Sequence, residues 1–223
     1  MTPSVLHDVV LDTMSQEEMP LAAGVAARSM LDNPSSLALF GSDRMRRVRA
    51  LEPVYHMVLA TGQRQPMVAR RHGIIVGLAA MSSPGECFSR EAISRERTLR
   101  VGGRRITTML PSIPRQLVVP LLCLGPRALS RLSAWGEANV SHDPHEPHHH
   151  IELVAVEPGL QGLGIGRLMM DALCAQMARR PGFGYLETDT ESNVRFYRHY
   201  GFEVVAEVTV LGTRTWYMVR PAT

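Results

Sequence analysis

The sequence predicts an α/β chain, with one mixed central sheet of about six or seven strands and helices on both faces. Three observations predict it. His150–Val156 is a run of strand formers that passes through a Gly-rich loop into an apolar helix, Leu168–Ala178, and Phe183–Thr188 follows as a further strand. Such a strand–helix–strand unit is parallel, with a right-handed crossover. Met67–Arg71 and Gly73–Met81 flank His72-Gly73 as a tight antiparallel hairpin. The chain then closes on a helix, Glu191–Tyr200, and two strands, Phe202–Val210 and Thr213–Val219, joined around Leu211-Gly212.

The remaining elements follow in order. Val5–Leu11 is expected as the first strand. Ser15 and Glu18 have capping-box spacing ahead of a helix from Gln16 to about Leu31, with Met19, Ala22, Val25 and Ala26 on one face. Asn33-Pro34 is expected to stop it. A second helix should start near Ser42 or Asp43 and reach about Ala60, kinked at Pro53. Ser89–Arg105 is dense in Arg without interleaved aromatics, which reads as a solvated loop or short helix rather than a nucleic-acid surface. Leu117–Leu124 is a short apolar run, and Pro126 to about Asn139 reads as a helix with Leu129, Leu132 and Trp135 on one face. Arg180-Pro181-Gly182 breaks the chain, and Gly201 ends the last helix.

Composition narrows the function. With 223 residues, 45% hydrophobic and 20% charged, the chain fits one globular domain, read in two parts, 1–147 and 148–220. A formal net charge of +3 is too mild to imply nucleic acid or a membrane surface. All 24 basic residues are Arg. Cys87, Cys123 and Cys174 are odd in number and form no C-x-x-C, so reduced thiols are expected and, with no leader or spanning segment legible, a cytoplasmic location. A homodimer is compatible with the sequence.

The glycines of the core can be tested against phosphate motifs. A dinucleotide fingerprint from Gly162 and Gly164 needs glycine at 167, which is Arg167; a P-loop needs Lys, which the chain lacks. What stands there is Q-x-x-G-x-G: Gln161, Gly164, Gly166. A Gly-rich loop opening a helix is an anion site, because bare backbone N–H groups and the helix dipole converge there. Further on, Asn193, Phe196, Tyr197, Gly201 and Phe202 follow N-x-x-[FA]-Y-x-x-x-G-F. Together these stretches resemble the GNAT acetyltransferase superfamily, and Leu186-Glu187-Thr188 with Thr215-Trp216-Tyr217-Met218 resembles its puromycin N-acetyltransferase-like branch. The likeness is specific from about Pro147 to Arg220.

The resemblance implies a GNAT fold with a splayed pair of parallel strands, acetyl-CoA as co-substrate, and direct acetyl transfer to a primary amine in a ternary complex. It assigns the pantetheine edge to Val154, Ala155 and Val156. The pyrophosphate loop falls on Gln161, Gly162, Leu163, Gly164, Ile165, Gly166 and Arg167, and a further cofactor contact on Asn193. It places Tyr197 at the sulfur, where a phenol of ordinary pKa about 10 can protonate a departing thiolate; a core tyrosine is the plain alternative. Glu152 shares a strand face with Val154 by alternation, with Leu153 and Ala155 on the other. It is read either as the base for the amine or as a solvent-facing charge.

Five of nine histidines, His142, His145, His148, His149 and His150, fall within nine residues. With Asp143 and Glu146 they could bind zinc, but the spacing matches no zinc pattern and three consecutive rings on a strand cannot face one ion, so no metal ligand is assigned. His148 and His150 share a face with Glu152, which makes either a second candidate base. The expected function is N-acetyl transfer to a small-molecule amine. A non-catalytic CoA-binding or His-rich metal-binding module on the same scaffold is the alternative.

Overall fold

The computed structural model describes residues 5–61, 66–84, 97–101, 104–108 and 124–222. In chain order the strands are β1 (Val9–Thr13), β2 (Met67–Arg71), β3 (Ile74–Ser82), β4 (Arg97–Val101), β5 (Arg104–Thr108), β6 (His148–Val156), β7 (Phe183–Thr188), β8 (Glu203–Val210) and β9 (Thr213–Arg220). The helices are α1 (Met19–Ser29), α2 (Pro34–Phe40), α3 (Arg44–Thr61), α4 (Pro126–His142), α5 (Ile165–Met177) and α6 (Glu191–Arg198).

Seven strands form one sheet in the order β1-β2-β3-β6-β7-β9-β8. Every neighbouring pair is antiparallel except β6 and β7, which are parallel through the α5 crossover. The expected mixed sheet with helices on both faces is thus present. His72 and Gly73 both take positive φ, 52° and 79°, and this tight two-residue turn sets the β2–β3 hairpin.

Four expectations are corrected. Val5–Asp8 is a 3-10 turn, so β1 begins only at Val9. The capping-box segment Gln16–Glu18 is likewise 3-10, and α1 starts at Met19 with Pro20 in its first turn, where a missing N–H costs nothing. Asn33-Pro34 does end the first helical run, yet Pro34 also opens α2, which Gly41 closes at φ 85°. Part of the Arg-dense region is neither loop nor helix, since β4 and β5 pair antiparallel as a separate ribbon. Leu117–Leu124 lies outside the described residues except for Leu124, as do Cys87 and Cys123.

The core lies on both faces of the sheet. On one face α1 and α3 pack Met19, Ala22, Val25 and Leu59 against Val68, Leu78, Leu153 and Ala155. On the other, α5 packs Ile165, Met169, Met170 and Leu173 against Val76, Ile151 and Val156. A third cluster joins α2, α3 and α4 through Phe40, Leu51, Ala128 and Trp135. Among the described residues no helix is long and apolar enough to cross a membrane.

Candidate active site

The site is built on a parting of strands. β6 and β7 pair only at His148–Phe183, His149–Gly184 and His150–Tyr185. From Leu186 to Thr188, β7 continues against β9, and β6 continues against β3 as far as Val156–Gly77. Beyond His150, therefore, one edge of β6 has no neighbouring strand among the described residues. Buried backbone groups need partners, and at the far end the protein supplies two of its own. The Val156 N–H donates to Ser29 Oγ at 3.4 Å, and Gln161 Nε2 donates to the Val156 carbonyl at 3.1 Å. Arg28 adds a two-pronged pair with Glu157, both bonds 2.8 Å, which ties the end of α1 to the end of β6.

Gln161 thus folds back on the strand, and its backbone opens the loop. Gly162 and Gly164 take φ of 77° and 92°, a conformation L side chains rarely adopt, which explains glycine at both. Gly164 is the N-cap of the 13-residue helix α5, whose first N–H groups lack partners within the helix. Leu163 is exposed, whereas Ile165 is buried and anchors the helix in the core. A Cβ at Gly166 would stand 3.8 Å from Val156 and 3.9 Å from Phe196, so loop, strand end and α6 converge there. The loop presents backbone without side chains at a helix N-terminus, a fit for a pyrophosphate. Arg167 is exposed, and its carbonyl accepts from the Tyr200 hydroxyl at 3.2 Å.

On α6, Asn193 is half-buried and Tyr197 is buried. The Tyr197 ring packs edge-on against Phe196 and Phe202. Burial pushes its phenol well above the ordinary value, and Glu187 and Asp189 push it the same way. Asp189 in turn accepts the Ser35 N–H at 2.7 Å, so the α1–α2 turn closes over the end of β7.

Glu152 stands elsewhere than alternation places it. The β3–β6 register shifts between Ala80–Leu153 and Met81–Ile151, leaving Glu152 as the extra residue of a bulge. Val154 packs on the α5 side of the sheet. Glu152 instead accepts a hydrogen bond from Ser82, whose strand partner is His150. The expected common face for Glu152 and Val154 is therefore wrong, because the bulge resets the parity. The expected neighbourhood with His150 holds. Burial raises the Glu152 carboxyl, with Glu187 adding to the rise, while His150 and the Ser82 bond oppose it.

Glu187 is the residue sequence reasoning passed over. It receives a 2.8 Å hydrogen bond from His150 Nε2, which bridges β6 to β7 at their last pair. Next to it, Tyr217 is raised to about 12 by burial and by Glu187, and its hydroxyl bonds to Asn139 of α4 at 3.1 Å. A charged residue directly after the apolar run Phe183–Leu186, still within β7, was the available signal. Ser29 and Ser82 gave none, since a serine ending an apolar element is ordinary. A separate cavity of about 360 Å³ lies between β1–β3 and α5, lined by Leu11, Asp12, Met67, Met81, Leu173 and Gln176. Neither Glu152, His150, Glu187, Asn193 nor Tyr197 lines it.

Comparison with known proteins bears on this geometry. Residues 128–202 match the sequence model of the acetyltransferase (GNAT) family. Among solved structures, the fold is similar to histone acetyltransferase HPA2 and related acetyltransferase from Corynebacterium glutamicum, at 16% identity and TM-score 0.63, covering 97% of each chain. It is also similar to Ard1 from Thermoplasma volcanium, at 15% identity and TM-score 0.51, covering 96% of this chain and 97% of that one. A third is the ribosomal-protein-S18-alanine N-acetyltransferase from Escherichia coli, at 11% identity and TM-score 0.51, covering 96% and 94%. The likeness to these structures is one of fold, and the family match covers the strand, loop and α6 assembled above. The chain has the GNAT fold, and its residues 128–202 carry the sequence pattern of the acetyltransferase (GNAT) family.

Proposed function

We propose that the protein transfers an acetyl group from acetyl-CoA to the primary amine of a small molecule, by direct attack in a ternary complex. The observation that carries this reading is the parting of β6 from β7 beyond His150, beside a glycine loop that opens α5. The freed edge at Val154, Ala155 and Val156 suits an extended amide-bearing arm. The loop from Gln161 through Gly162, Leu163, Gly164, Ile165 and Gly166 to Arg167 suits a pyrophosphate, with Asn193 as a flanking contact.

The chain's own groups then divide the proton work. The amine nitrogen bonds to the thioester carbonyl carbon, and the carbon–sulfur bond breaks. The nitrogen sheds one proton to Glu152, and the sulfur takes one from Tyr197. Water returns the proton from Glu152 to Tyr197 between turnovers. The upward shift of Glu152 supports a base role, since a base nearer neutrality accepts an amine proton more readily. The raised phenol of Tyr197 keeps that group protonated at neutral pH and makes it a weaker acid. Buried Ser82 and His150, beside a half-buried Glu152, favour a compact acceptor over a protein chain.

The test is release of free thiol from acetyl-CoA by untagged protein, with a panel of small primary amines and of peptides bearing free N-termini. Acceleration by at least one small amine, with its acetylated product, is expected. Acceleration by peptides alone removes the small-molecule acceptor. Thiol release no faster than hydrolysis across the whole panel removes the transferase reading.

A further inference from the structure

We infer that Asp143, His148 and His150 form a divalent-cation site of zinc type at the base of the parting strands. Irregular spacing among the histidines gives no reason to expect one. The fold, however, selects two of the five. Alternation along β6 puts His148 and His150 on one face and sends His149 to the other, where its ring reaches the Arg180 carbonyl at 3.4 Å. Asp143, the residue that ends α4, meets the pair. One ligand atom from each of the three lies within 4.8 Å of the other two, and all three residues are buried.

The proton positions make the arrangement specific. His148 Nδ1 lies 2.9 Å from the Glu146 carbonyl, which only accepts, so Nδ1 carries the proton. In a neutral ring Nε2 is then a lone pair, and it stands 3.0 Å from Asp143 Oδ1, another acceptor. A cation at this point takes both atoms as ligands, whereas a doubly protonated ring makes the same contact an ion pair. Two donors on one tetrahedral zinc stand about 3.3 Å apart, given bond lengths of about 2.0 Å. His150 donates Nε2–H to Glu187 at 2.8 Å. Each ring is thus held by a carbonyl or carboxylate on its protonated nitrogen, the outer arrangement that orients metal-bound histidines. The ion ties α4 to β6 and offsets the buried charge of Asp143. Its role is structural, and it is distinct from the proton transfers assigned to Glu152 and Tyr197.

The experiment uses untagged full-length protein stripped with chelator and then titrated with Zn²⁺ against a chromophoric competitor. One equivalent is expected, with a rise in Tm on loading. Co²⁺ in place of zinc should give visible d–d bands of a four-coordinate site in the wild-type protein, a readout that needs no variant. His148→Gln and Asp143→Asn, each checked for folding by circular dichroism, should weaken zinc by about 100-fold or more. Glu187→Gln should weaken it by about 10–100-fold, and His145→Gln, at an exposed position, should leave it unchanged. No stoichiometric zinc together with no cobalt bands overturns the proposal. So does zinc binding that survives both His148→Gln and Asp143→Asn. Nitrogen-15 NMR showing both His148 ring nitrogens protonated in zinc-treated protein overturns it too, and makes the contact an imidazolium–carboxylate pair.

Discussion

Replacing Tyr197 by Phe and by Ala separates its chemistry from its packing. The ring lies buried between Phe196 and Phe202, with centroids 5.3 Å and 6.2 Å away. Phe keeps that ring and both contacts. Its cost is confined to one hydroxyl, a change of about 1 kcal/mol or less, or about 2–4 °C in Tm for a chain of this size. Ala removes the ring and leaves a cavity, which costs about 3–5 kcal/mol and so about 6–20 °C. Loss of a general acid is typically worth about 10²–10⁴-fold in rate. Tyr197→Phe is therefore expected to lose that much in kcat at nearly unchanged Tm and acetyl-CoA affinity. Single-turnover thiol release with saturating amine makes the chemical step visible. The raised phenol also predicts that this step shows no alkaline fall from Tyr197 below about pH 10. A Phe variant with the wild-type single-turnover rate refutes the acid role. A loss of rate that follows the loss of Tm across Phe and Ala makes Tyr197 a packing residue.

Other outcomes follow from the same geometry. Glu152 has a folded pKa raised above its unfolded value, so its contribution to stability is present at low pH and lost as pH rises through the folded pKa. Glu152→Gln is thus expected to raise Tm at pH 8, with no gain below about pH 4, while lowering kcat/KM for the amine by about 10²-fold or more; an unchanged rate removes the base. At Gly164, φ of 92° makes alanine cost about 1–2 kcal/mol, a fall of about 2–8 °C. Its Cβ would stand 2.9 Å from Leu6 Cδ1, a flexible end, so adding Leu6→Ala should recover little, and full recovery shows that crowding rather than the dihedral was the cause. Glu18 is held at about 2 by Arg70 and by the Ser15 N–H, so its share of stability is present above the usual carboxylate range and lost as pH falls towards 2. Arg70→Gln should return its NMR titration towards the ordinary value, and no movement disproves the pairing as cause.

What could be read in advance depended on how local the signal was. The crossover from β6 through α5 to β7 is carried by consecutive residues, as are the His72-Gly73 turn and the Gly201 stop, and all three are where periodicity and turn chemistry put them. The glycines of the loop were legible because only their backbone freedom fits left-handed φ. Elements marked by ambiguous signals were missed. Pro34 both stops one helix and starts α2, and the Arg density of residues 97–108 masked the alternation of β4 and β5. The site was harder for a different reason. Glu187 and Ser82 acquire meaning only through partners 37 and 70 residues away, and no local pattern encodes those meetings. The bulge at Glu152 was invisible because an extra residue declares itself only against the strand it fails to match.

That bulge lets the two ends of β6 change independently. Upstream of it, residues 148–150 furnish the polar compartment; downstream, residues 153–156 serve the core and the freed edge. In an unbroken strand one face assignment governs the entire length, and a residue gained or lost near its start would turn every later side chain inside out. Here the surplus residue absorbs such a slip before it reaches Leu153. The first half can then vary while residues 153–156 stay packed against their helices. Deleting Glu152 would join the two halves into one register, and selectivity and stability would then have to evolve together.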